Sequence, residues 1–108
     1  MKIIDINSAV TKGQLLKFLQ EKLNPLFQKQ KQTDLQFTIE SKGDTIEISQ
    51  PDLYAGFLFQ IEINGTQLLI TRSEHYVDDI NSLTLESILN GLFEELSGNN
   101  GVKLVLEG

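Results

Sequence analysis

The sequence predicts an α+β domain of two layers, a mainly antiparallel sheet in the order β-α-β-β-β-β-α-β with two helices packed on one face. Three observations carry this. Two pairs of alternating segments, 35–40 with 45–49 and 57–63 with 66–72, each split into an apolar row and a polar row, the pattern of an antiparallel sheet that is dry on one side. Asn64-Gly65, between the members of the second pair, is the strongest short-range hairpin signal, because a type I′ turn needs positive φ at both central residues. Two amphipathic stretches of helical period flank this block in sequence, and each must bury its apolar stripe against the sheet.

Taken in order, Ile3, Ile4 and Ile6 suggest a short first strand. Thr11 and Gln14 have capping-box spacing and open a helix carrying Leu15, Leu16, Phe18, Leu19, Leu23, Leu26 and Phe27 on one side. Gln14, Lys17, Glu21 and Gln28 take the other. Pro25 interrupts it, since an interior proline deletes a hydrogen bond and costs roughly 3 kcal/mol. A kink or restart is therefore expected, with Asn24 as cap and Pro25 at the first helical position.

The first hairpin, looped at Ser41-Lys42-Gly43-Asp44, would pair Ile39 with Ile46 and Phe37 with Ile48. The second, turning on Asn64-Gly65, would pair Ile63 with Thr66, Ile61 with Leu68, Phe59 with Ile70 and Phe57 with Arg72. Leu58 and Leu69 then fall on the polar face, where isolated apolar residues are common. Leu85, Ile88, Leu89, Leu92, Phe93 and Leu96 form a single stripe for the second helix. Thr84 is its expected cap, Leu83 is placed to staple onto Ile88, and Gly98 ends it. Residues 102–106 read as a last strand, apolar on both sides.

A chain of 108 residues, 40% apolar and 22% charged, fits one globular domain spanning 1–108. With no Cys there is no thiolate nucleophile, disulfide framework or cysteine-based metal site. No apolar run is long enough for a signal peptide or a membrane span, so a cytoplasmic protein is the expectation. The net charge is −6 and unevenly spread: six lysines lie in the first 32 residues against Asp5 and Glu21, leaving the remainder strongly acidic. Such a dipolar molecule is steered towards positively charged partners.

The only polar cluster resembling an acid–base or metal site is His75 with Glu74, Asp78 and Asp79. It joins a strand to a helix, where solvated polar residues are expected in any case. No Ser lies in a nucleophile elbow, and the glycine-dense loop at 98–101 follows a helix instead of preceding one, which excludes a phosphate loop on order. The expected wet face holds Gln36, Thr38, Glu40, Thr45, Glu47, Ser49, Gln60, Glu62, Gln67 and Thr71. Lacking aromatics and carrying carboxylates, it repels nucleic acid. Neither catalysis nor a cofactor nor a metal is expected.

What remains is surface. The sequence suggests a small acidic protein-interaction module, of inhibitor, immunity or adaptor type, that binds a basic protein partner. Candidate contact residues are Tyr54, Glu74, Tyr76, Asp78, Asp79, Glu94 and Glu95. Tyrosines are favoured at interfaces, and the two glutamates sit unfavourably at the negative end of a helix dipole. Should the last strand lie at an edge, it could also pair across a homodimer axis. The alternative is a cradle for a small apolar ligand between a kinked first helix and the sheet, lined by Phe18, Phe27, Phe37 and Phe59.

Overall fold

The computed structural model describes residues 1–74, 76–98 and 101–107. Among these the elements run β1 (Lys2–Asp5), α1 (Lys12–Lys31), β2 (Thr38–Lys42), β3 (Thr45–Ser49), β4 (Phe57–Asn64), β5 (Gln67–Arg72), α2 (Ile80–Leu96) and β6 (Lys103–Glu107). The strands form one six-stranded antiparallel sheet in the order β2-β3-β4-β5-β1-β6. Its dry face presents Ile4, Ile39, Ile46, Ile48, Phe59, Ile61, Leu68 and Ile70. These pack in one core with Leu15, Leu19, Leu23 and Phe27 of α1 and Leu85, Ile88, Leu89, Leu92 and Phe93 of α2. The predicted fold class and element order are those observed.

Both hairpins keep the predicted faces but shift their register. Ile39 lies opposite Ile48 and Ser41 opposite Ile46, so the loop is Gly43-Asp44. Ile63 lies opposite Leu68, Ile61 opposite Ile70 and Phe59 opposite Arg72, so the second turn is Gly65-Thr66 and not Asn64-Gly65. The reason is the same in both. The glycine takes the first central position with φ of +57° at Gly43 and +65° at Gly65, while Asp44 and Thr66 stay outside the positive-φ region. That sign pattern belongs to the II′ turn, which needs only one glycine.

A bulge where β3 meets β4 corrects the reading of Leu58. Phe59 pairs with Ile48 and Phe57 with Ser49, leaving Leu58 as the extra residue. Bulging breaks the alternation, so Leu58 is buried next to buried Phe59, while Phe57 is only half-buried. Leu69 does lie on the wet side, in a cross-strand row with Ile3 and Leu106.

The first helix does not restart at Pro25. It is continuous, opened by the Thr11–Gln14 capping box, and Pro25 sits inside it. Asn24 is no cap: its side chain accepts from the Phe37 amide at 2.7 Å and donates to the Phe37 carbonyl at 3.0 Å. Gln20 donates to the Ile39 carbonyl at 2.9 Å, and Gln28 to the Leu35 carbonyl at 3.3 Å. Side chains four apart on a helix are spaced by about 6 Å, close to the roughly 6.6 Å between alternate strand residues. Three amides thus serve the outer side of β2 and the segment leading into it. Gln28, read as a solvated position, is part of this row, and Leu26, read as apolar-side, is 43% exposed.

The second helix begins a turn earlier than predicted. Asp79 caps it by accepting from the Ser82 amide at 2.8 Å. Thr84 is a buried interior residue, and Leu83, half exposed and inside the helix, does not occupy the staple position ahead of the cap. Gly98 does mark the end, with φ +71° after the Ser97 cap. Among the described residues the last strand pairs only with β1. Lys103 lies opposite Asp5 and Glu107 opposite Lys2, opposite charges that favour this register.

Candidate functional site

The β3–β4 connection and the approach to α2 meet at one end of the molecule. Gln50 builds the first of these. It is 93% buried by residue surface, with 7% exposed. Its side-chain amide donates to the Gln36 carbonyl at 2.6 Å, its Oε1 accepts from the Asp52 amide at 2.9 Å, and its own carbonyl accepts from the Leu53 and Tyr54 amides. The turn so formed aims Tyr54 at α2, where its hydroxyl donates to Asp79 Oδ2 at 2.5 Å. One carboxylate therefore caps the helix and clasps the loop.

The second segment folds back on the sheet. The Ser73 amide donates to the Leu58 carbonyl at 3.1 Å, and the Tyr76 amide donates to the Ser73 carbonyl at 3.0 Å. The Tyr76 ring meets Phe59 edge-on at 5.6 Å, the Arg72 guanidinium lies 5.0 Å from its centre, and its hydroxyl donates to Glu86 at 3.3 Å.

The charge environment follows from these contacts. Burial, and then the negative charges of Glu86 and Asp78, push the Tyr76 phenol up to about 12, with Arg72 opposing. Burial and the bond to Asp79 raise Tyr54. For Asp79, burial alone would raise the carboxyl, but the hydrogen bonds from Tyr54 and Ser82 outweigh it and hold it below its usual value. Neither phenol is poised to ionise near neutral pH.

Tyr54, Glu74, Tyr76, Asp78 and Asp79 thus share one end of the molecule, the tyrosines as half-buried clasps and Glu74 and Asp78 exposed. Glu94 and Glu95 stand apart, roughly 22 Å along α2 by helical rise. Glu94 is exposed, and Glu95 pairs with Lys22 of α1 at 3.0 Å. Around the first group Leu53, Val77, Ile80 and Leu83 are 52%, 54%, 64% and 50% exposed, and the sequence reading missed Val77, Ile80 and Leu83 as surface residues. The signal was present at Asp79, a capping residue type that moves the helix start back and puts Ile80 and Leu83 outside the buried stripe.

His75 lies outside the described residues; of the cluster read around it, Glu74, Asp78 and Asp79 are described. Among the described residues no group of three or more His, Cys, Asp or Glu could hold a metal ion, and no helix is long and apolar enough to cross a membrane. The phenylalanines of the expected cradle make separate ring contacts. Phe27 and Phe37 pack edge-to-face at 4.8 Å under α1, whereas Phe59 contacts Tyr76. A cavity of about 320 Å³ lies instead between α2 and the β1–β5 side of the sheet, floored by Phe59, Ile70, Leu89 and Phe93 with Lys2 and Arg72 in its lining. Comparison with protein-family models, with curated proteins and with solved structures finds no match to this chain, so the surface chemistry carries the functional reading.

Proposed function

We propose that this chain is an acidic, non-catalytic protein-interaction module of the cytoplasm, of inhibitor, immunity or adaptor type, which binds a basic partner at the Tyr54–Asp79 end. The supporting observation is the exposure of Leu53, Val77, Ile80 and Leu83 beside the carboxylates Asp52, Glu74 and Asp78. Interfaces combine apolar anchors with a polar rim, and acidic rims steer cationic partners. Tying the loop to the helix cap through Asp79 holds these anchors in place before binding, which lowers the entropy lost on association.

The test is capture from lysate at low and high salt, with the retained protein identified by mass spectrometry. A positively charged partner, released by salt and lost from an Ile80→Asp variant, is the expected result. Capture that is indifferent to both salt and Ile80→Asp defeats the proposal.

The cavity beside α2 supports a second reading, binding of a small apolar ligand. Its floor is apolar, and in its lining Lys2 and Arg72 are balanced by Glu86 and Glu107, so uncharged aliphatic and aromatic compounds are the probes for a thermal-shift series. Uniformly unchanged melting temperatures sink that reading.

A further inference from the structure

On α2 the positions 80, 83, 87, 90 and 94 recur in steps of three and four, the spacing that keeps one seam facing a partner helix. These residues, Ile80, Leu83, Ser87, Asn90 and Glu94, are all exposed, on the side away from the buried stripe. Their chemistry changes along the seam. Two aliphatics come first, Ser87 and Asn90 leave the middle low, and Glu94 closes it. Next to the seam stands Gly91, where an added Cβ would meet nothing within 4 Å. An interior helical glycine costs about 0.5–1 kcal/mol relative to Ala; with Asn90 and Glu94 it borders the cleft between α2 and the β1–β6 side of the sheet, and it leaves room there for a second backbone. The helix carries Glu86, Glu94 and Glu95 and no Lys or Arg, and among the described residues Glu94 has no ion-pair partner.

We infer that this seam docks an amphipathic helix of the partner, apolar where it meets Ile80 and Leu83 and basic where it meets Glu94. A second copy of α2 is a poor occupant. Laid parallel it sets Glu94 against Glu94, and laid antiparallel it sets Glu94 against Ile80. The inference rests on the interaction reading above and names the partner's element and charge pattern.

The probe is a synthetic helical peptide of about two heptads, with Leu at the seam positions of one heptad and Lys at those of the other. Its control is a scramble of the same composition, with binding followed by fluorescence anisotropy. The patterned peptide is expected to bind about tenfold more tightly than the scramble, and Leu83→Asp and Glu94→Lys should each weaken it by about tenfold, the effect of losing one anchoring contact. Both sites are exposed, so neither variant should melt below the parent, and Glu94→Lys, relieving a carboxylate at the negative end of the helix, should melt at or slightly above it; Glu62→Lys on the sheet should leave binding unchanged. Equal binding of the scramble, or sensitivity to Glu62→Lys but not to Leu83→Asp, overturns the seam. The two readings fail separately. Salt-sensitive capture of a basic partner that Leu83→Asp leaves intact overturns the seam alone, whereas no salt-sensitive capture at all overturns the interaction reading.

Discussion

Asp79 does the work of two residues: one carboxylate oxygen holds the first turn of α2 and the other holds Tyr54. Beside it, among the described residues, the buried Ser82 hydroxyl meets no partner in good hydrogen-bond geometry, although it lies near enough to Asp79 and Tyr54 to act on both. A buried unsatisfied hydroxyl costs about 1–3 kcal/mol, and Ala is the better helix former. Ser82→Ala should therefore raise the urea midpoint while the backbone bond to Asp79 stays. A lowered midpoint would show that the hydroxyl is satisfied in solution. Tyr76 supplies the pH dependence. Its phenol is raised from 10.0 to about 12 by burial and by Glu86, so folding favours the protonated form. That stabilisation is complete below pH 10 and is lost as pH rises through 12. Denaturant midpoints should fall across this window, and Tyr76→Phe, which keeps the ring on Phe59, should make the fall shallower.

At the scale of elements, α1 is amphipathic in an unusual sense. One side buries Leu15, Leu19, Leu23 and Phe27, and an adjoining row of Gln20, Asn24 and Gln28 hydrogen-bonds the backbone of residues 35–39. This explains how the helix tolerates Pro25: sheet contacts hold the residues on both sides of it, so tertiary bonds offset the missing helical one. Asn24→Ala would leave both polar groups of the Phe37 backbone without their partner, at a cost of about 1–3 kcal/mol for each group left unsatisfied. The expected reading is a lower melting temperature and faster amide exchange at Phe37. Unchanged exchange there would mean that water replaces the side chain.

Across the whole molecule the two edges of the sheet are treated differently. The amides of α1 cover the β2 side, whereas the outer edge of β6 is unpaired and carries Leu104, Val105 and Leu106 at roughly half exposure. A bulge between the pairings of Leu104 and Leu106, with Lys103 and Glu107 at the ends, blunts that edge. Any homodimer formed through β6 should dissociate on Val105→Lys, as read by sedimentation velocity, and a dimer that survives the substitution has its axis elsewhere. The charge asymmetry also acts at this scale. Lysines of the N-terminal third give α1 its solvated side, and Lys22 reaches Glu95 to tie the helices together, while the Tyr54–Asp79 end keeps exposed carboxylates.

The sequence by itself determined the class, the element order, which face of each strand is dry and which stripe of α2 is buried, because periods of two and 3.6 residues are local and each hydrophobic set has one place to go. Faces survived even where register did not, except at the Leu58 bulge, since both hairpins slipped by an even step that keeps paired side chains on their side. Tertiary structure decided the rest. Whether Asn24 caps a new helix or bonds Phe37 depends on the segment leading into β2, 13 residues away. That Asp79 and not Thr84 starts α2 is a local cap, but that the same carboxylate also holds a loop depends on Tyr54 arriving from the β3–β4 connection. The exposed apolar patch and the seam on α2 follow from that start. Such contacts are long-range and made by single polar groups, so no periodicity announces them.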